Sequence, residues 1–145
     1  MTLQEEARAA LAAKGLAERH VARVADCPPW RHAAFGLVMA ALVASPALPL
    51  PLRFAVLVLV LLAIAAIVAS DRRRTGMFVN GYRRGKTLVV SIVTLVVVTG
   101  LFMVSARAGD AGDVRTPLLL SAVAFVVAIA SSIIWQRVFV AELGE

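Results

Sequence analysis

Residues 54–106 read FAVLVLVLLAIAAIVAS (54–70), DRRRTGMFVNGYRRGKT (71–87) and LVVSIVTLVVVTGLFMVSA (88–106). Two apolar blocks without a single charge flank one polar segment. A soluble helix of this length carries a polar stripe on its outer face, and neither block has one. Each is instead close to the roughly 20 apolar residues that carry a helix across a bilayer. The polar segment between them, Asp71 to Lys86, holds six of the fifteen Lys and Arg residues against one acid. The stretch therefore predicts two transmembrane helices joined by a basic loop.

Two further apolar blocks lie outside it. Ala33–Leu48 precedes a proline-rich turn, Ser45-Pro46-Ala47-Leu48-Pro49-Leu50-Pro51, and Leu118–Trp135 follows a polar turn from Arg107 to Arg115. Proline removes a backbone donor and clashes with the preceding helical turn, so 33–70 divides into two spans rather than forming one long helix. Thr87 is placed to cap the third span, and Pro117 to open the fourth, where its missing donor costs little. The expected fold is an all-α membrane protein with four transmembrane helices in two antiparallel hairpins, spanning about 33–48, 54–70, 88–106 and 118–135. A composition that is 61% hydrophobic, with mean hydropathy +0.87, fits that class. The domain covers 33–137 with the loop 71–87, between an N-terminal segment 1–32 and a tail 138–145.

The N-terminal segment reads as a short helix. Thr2 and Glu5 have capping-box spacing, and Leu3, Ala7, Ala10, Ala17, Val21 and Val24 recur on one side. Lys14-Gly15 interrupts that stripe, so one helix or two remain open, and Cys27-Pro28-Pro29 ends the segment. Five basic and four acidic residues nearly balance over 1–32. Docking on the bundle or on a partner therefore suits it better than charge-driven membrane binding.

The net charge of +6 and pI near 11.0 would suggest nucleic acid in a soluble protein. Here the excess sits beside membrane spans, where Lys and Arg mark the cytoplasmic side, and no nucleic-acid partner is expected. The N-terminal segment, the 71–87 loop and Arg137 fall on one side, with Arg53, Arg107 and Arg115 on the other. Both termini are thus expected in the cytoplasm, in a bacterial inner or plasma membrane. No cleaved signal peptide is expected, because the first apolar run follows some thirty mixed residues. The lone Cys27 permits neither an internal disulfide nor a cysteine metal pair.

Small residues that let helices approach closely recur on three spans. They are Gly36, Ala40 and Ala44 on the first, Gly100 on the third, and Ala124, Ala128 and Ser132 on the fourth. No Asp, Glu, Lys, Arg or His lies within the four blocks, which argues against a proton-coupled carrier. The span hydroxyls have no base in the blocks to activate them. His20 and His32 read as surface or interfacial residues. Asp110 and Asp113 fall short of the six to eight oxygens of a calcium site. No catalytic residue, cofactor or metal is predicted.

The candidate site is the basic loop, with Arg72, Arg73, Arg74, Asn80, Gly81, Tyr82, Arg83, Arg84 and Lys86 as ligands for anionic lipid or a partner. Asn80-Gly81 is a strong hairpin turn signal, and Thr75–Val79 can then pair with Tyr82–Lys86. The expected function is a non-enzymatic accessory or scaffold protein that engages a membrane partner, a second copy or anionic lipid of the bilayer. A small oligomeric pore or carrier is the alternative, and a lipid-modifying enzyme a weaker one. A reporter fused after Glu145 is predicted to score cytoplasmic and one inserted at Asp110 non-cytoplasmic; the reverse pattern would contradict the charge count.

Overall fold

The structure, a computed structural model, describes residues 3–24, 28–75 and 85–143. Five helices follow in order: α1 (Leu3–Val24), α2 (Pro29–Ala44), α3 (Leu50–Thr75), α4 (Lys86–Asp110) and α5 (Arg115–Leu143), with a 3₁₀ turn at Ser45–Ala47 between α2 and α3. No strand occurs among the described residues. Three helices, α3, α4 and α5, are long and apolar enough to cross a membrane. The 16 residues of α2 rise only about 24 Å at 1.5 Å each, short of the roughly 30 Å hydrocarbon core.

The boundaries differ from the sequence expectation for local reasons. Helix α1 runs unbroken through Gly15, whose cost of about 1 kcal/mol is spread over an alanine-rich segment. Helix α2 begins at Pro29, not Ala33, since proline suits the first helical position. Trp30, Arg31 and His32 thereby become its first turn. Helix α3 begins at Leu50 and takes in Pro51 and Arg53; Pro51 falls in the first turn, where amides lack helical acceptors anyway. At its other end α3 continues through Asp71, Arg72, Arg73 and Arg74 to Thr75, since arginine is a good helix former. Thr87 is not the cap of α4. It is the second residue of that helix, fully buried, and Gly85 at φ +151° precedes the first turn.

Helix α4 extends four residues past Ala106, and Gly112, at φ +81°, turns the chain into α5. Asp113 then receives the Arg115 and Thr116 amides at 2.8 and 3.3 Å and the Thr116 hydroxyl at 2.5 Å. The Thr116 hydroxyl first, then the Thr116 and Arg115 amides, hold its carboxylate below the usual range. Its support of the α5 start is therefore complete above the ordinary carboxylate pKa and is lost as pH falls through the lowered value. Pro117 is buried within this turn.

The helices pack up and down. Helix α2 lies mainly on α5, α5 also on α4, and α3 joins chiefly through α2 and the 3₁₀ turn. Val43, Val98 and Ala124 form the core, flanked by Met39, Leu101, Phe102 and Leu120. At one end, which carries the prolines, Ser105 Oγ donates to the Val43 carbonyl at 2.5 Å. In a 3₁₀ turn that acceptor would look to Pro46, which has no N–H, so the serine of another helix supplies the donor. Arg53 reaches the Pro46 carbonyl at 2.9 Å and Asp110 at 3.3 Å. A Cβ on Gly109 would overlap the Pro46 backbone, whereas one on Gly100 would meet open space. Gly109→Ala is predicted to destabilise the detergent-solubilised protein by about 1–3 kcal/mol, and Gly100→Ala to be neutral or stabilising, as read by thermal unfolding.

Candidate functional site

Four helix ends meet at the other end of the bundle: the first turn of α2, the last turns of α3 and α5, and the first turn of α4. Arg31 of α2 pairs with Asp71 of α3 at 2.6 Å, with side-chain exposures of 31% and 17%. The acid that opens the basic segment thus holds α3 against α2. One turn of α2 deeper, Gly36 is seated against Ile129 and Phe125 of α5 so closely that a Cβ would stand 2.8 Å from the Ile129 side chain. Ala124 and Ala128 have no exposed surface. Ala40 and Ala44 are half-buried, and Gly100 is exposed.

His32 is buried, and its Nδ1 lies 2.8 Å from the Ser132 hydroxyl. Of the two expected settings for His32, surface or interfacial, its burial excludes the exposed one. One expectation is corrected: a span hydroxyl, Ser132, does have a base within hydrogen-bond reach. Three other hydroxyls bond to carbonyls of their own helices, Ser91 to Thr87, Thr94 to Val90 and Ser121 to Leu118. A buried polar pair between helices is favoured because each group would otherwise face hydrocarbon unpaired.

Glu142 of α5 accepts a hydrogen bond from the Lys86 amide, at the start of α4, and its carboxylate lies where a Gly85 side chain would be. The first amides of a helix lack internal acceptors and carry partial positive charge. A carboxylate from α5 therefore does for α4 what Thr87 does not. Thr87 Oγ1 and Trp135 Nε1 are buried and find no hydrogen-bond partner among the described residues, and the Trp135 ring stacks on Phe139 with centroids 5.2 Å apart.

Of the basic residues expected to bind ligand, Arg72 and Arg73 are exposed on the final turns of α3 and Lys86 is exposed at the start of α4. Arg74 belongs to the α3 helix. Asn80, Gly81, Tyr82, Arg83 and Arg84 lie outside the described residues, as does the turn of the expected hairpin. Its two outer residues are helical, Thr75 closing α3 and Lys86 opening α4. Two open hollows flank this end. One, of about 610 Å³, is lined by Ala66, Ala69, Ser70 and Arg73; the other, of about 340 Å³, by Ile133, Gln136, Arg137 and Val140. Among the described residues no three His, Cys, Asp or Glu side chains could share a metal ion.

The chain matches no protein-family model, no curated protein and no solved structure. The site is accordingly defined by its own geometry. His32→Ala and Ser132→Ala are predicted to be non-additive in unfolding free energy, with a coupling of about 0.5–1.5 kcal/mol; strict additivity would show that the contact contributes nothing to stability.

Proposed function

We propose that the protein is a non-enzymatic integral membrane accessory or scaffold protein whose basic end engages anionic lipid headgroups. The observation that carries the proposal is the continuation of α3 past its apolar run. Arg72 and Arg73 are exposed on a helix whose preceding turn is anchored to α2 by the Asp71–Arg31 pair. Such arginines are held in place rather than left on a flexible loop, and a planar guanidinium suits phosphate. Next to an anionic leaflet each basic residue gains about 1 kcal/mol. Helix α1 offers a second contact surface for a partner, since residues 4–14 are all exposed and Leu11 and Leu16 are 69% and 67% exposed.

In this proposal α2 with its 3₁₀ turn is a fourth crossing and both termini are cytoplasmic. Support comes from the two ends of α2. Its first turn meets Asp71, near the end of α3, and Ser132, near the end of the apolar run of α5, and its last meets Ser105, near the far end of α4. The 3₁₀ turn adds 3 residues to the helix, and the Lys and Arg bias sets the orientation. The hydroxyls of α4 and α5 that bond to their own carbonyls disfavour a polar pore lining. The His32–Ser132 contact is the one observation favouring a lipid-modifying enzyme, and phospholipid turnover abolished by Ser132→Ala would establish that reading instead.

Gln substitutions at Arg72, Arg83 and Arg84 are predicted to deplete anionic lipid copurifying from native membrane, at unchanged topology of the Glu145 end. An unchanged lipid profile would leave the basic segment as a topology signal only.

A further inference from the structure

The hollow beside α3 has an orientation relative to the bundle that identifies its occupant. We propose that it holds one phospholipid with an anionic headgroup, its phosphate on Arg73 and its acyl chain against Ala66 and Ala69. The site rests on the anionic-lipid reading of the basic end and deepens it to a single bound molecule.

Leu62, Ala66, Ala69 and Arg73 follow one another at helical spacing and so share one face of α3. It is not the face that packs in the bundle. Val60, 7% exposed, and Asp71, bound to Arg31, lie on the packed side, while Leu62 is 60% exposed and both alanines are exposed. The helix surface therefore falls away between Leu62 and Arg73, and the depression opens towards the surrounding bilayer. Seven residues separate Ala66 from Arg73, about 10 Å along the axis. That distance carries the hollow from the hydrocarbon through a headgroup layer of about 5–7 Å per leaflet.

The polar end of the hollow selects charge. Arg31 is engaged by Asp71, and Arg53 by Asp110 and the Pro46 carbonyl. Arg73 is exposed and makes no ion pair or hydrogen bond among the described residues. All five of its donors remain for a phosphate. Ser70, half-buried one turn deeper on the same hollow, stands at the level of the glycerol esters. A zwitterionic headgroup would bring its own cation beside Arg72 and Arg73, which repel it; an anionic headgroup brings none.

The test uses the full-length protein in detergent and counts bound lipid by native mass spectrometry against phosphatidylglycerol and phosphatidylcholine. One phosphatidylglycerol per chain is expected to be retained in preference to phosphatidylcholine, and millimolar inorganic phosphate is expected not to displace it. Arg73→Gln should lower its affinity about fivefold. Ala66→Leu/Ala69→Leu, which fills the hollow with good helix formers at two positions that are exposed, should lower it at least as far with thermal unfolding unchanged. If the double leucine variant keeps wild-type affinity, the hollow is not the site, even where Arg73→Gln binds less, and the broader lipid reading stands. If Arg73→Gln and the leucine variant both bind as wild type while the Arg72, Arg83 and Arg84 variant does not, the lipid sits elsewhere on the basic end. No preference for phosphatidylglycerol would overturn both readings. Displacement by inorganic phosphate would make the ligand a free anion. A dimer mass lost on filling the hollow would make the occupant a second copy of this chain.

Discussion

The close approach of α2 and α5 at Gly36 sets the geometry of the bundle. A helix made mostly of Ala, Val and Leu gains little by leaving lipid for the side of another helix, because the two environments are equally apolar. What it gains is contact, and contact requires that one side give way. Gly36 gives way to Phe125 and Ile129, and on α5 the small Ala124 and Ala128 are buried completely. His32 and Ser132 then pair one turn away. Without that approach the histidine would face hydrocarbon and the Val43 carbonyl would lose the neighbourhood that brings Ser105 to it.

From this seat the other helices are attached by their ends. Ser105, Arg53 and the tight Gly109–Pro46 contact close the proline end, and the Arg31–Asp71 and Glu142–Lys86 contacts close the basic end. Helix α3 is the least embedded of the three long apolar helices, and much of its surface is Leu and Val at more than half exposure. Arg72 and Arg73 are consequently exposed while Asp71 is held by Arg31.

The three long helices were legible because an uncharged apolar run of that length has few other fates. Their ends were less so. Asp71–Arg74 looks like a loop by charge, yet arginine is a good helix former and charge does not stop a helix. Thr87 has the chemistry of a cap, but the cap of α4 is Glu142, 56 residues away; a local pattern cannot show a donor–acceptor pair so distant. The same holds for His32 and Ser132, 100 residues apart. Gly109 was read as part of a polar turn, although its role is to let the Pro46 backbone come close. The small residues of α2 and α5 could be picked out by their spacing of four. Gly100, a single small residue on α4 with no such spacing, is open to the surroundings.

Helix α2 is the shortest of the apolar helices, and it packs on α3, α4 and α5 alike. If α2 crosses the bilayer, its first turn and the start of α3 lie on opposite sides. Replacing Cys27, the single cysteine, with serine and placing one cysteine at Trp30 or at Leu50 allows labelling of intact cells with a membrane-impermeant thiol reagent. The account predicts that Leu50→Cys is labelled from outside and that Trp30→Cys reacts only after the membrane is opened. Both positions reacting from the same side would contradict it, because α2 would then dip into the membrane and return.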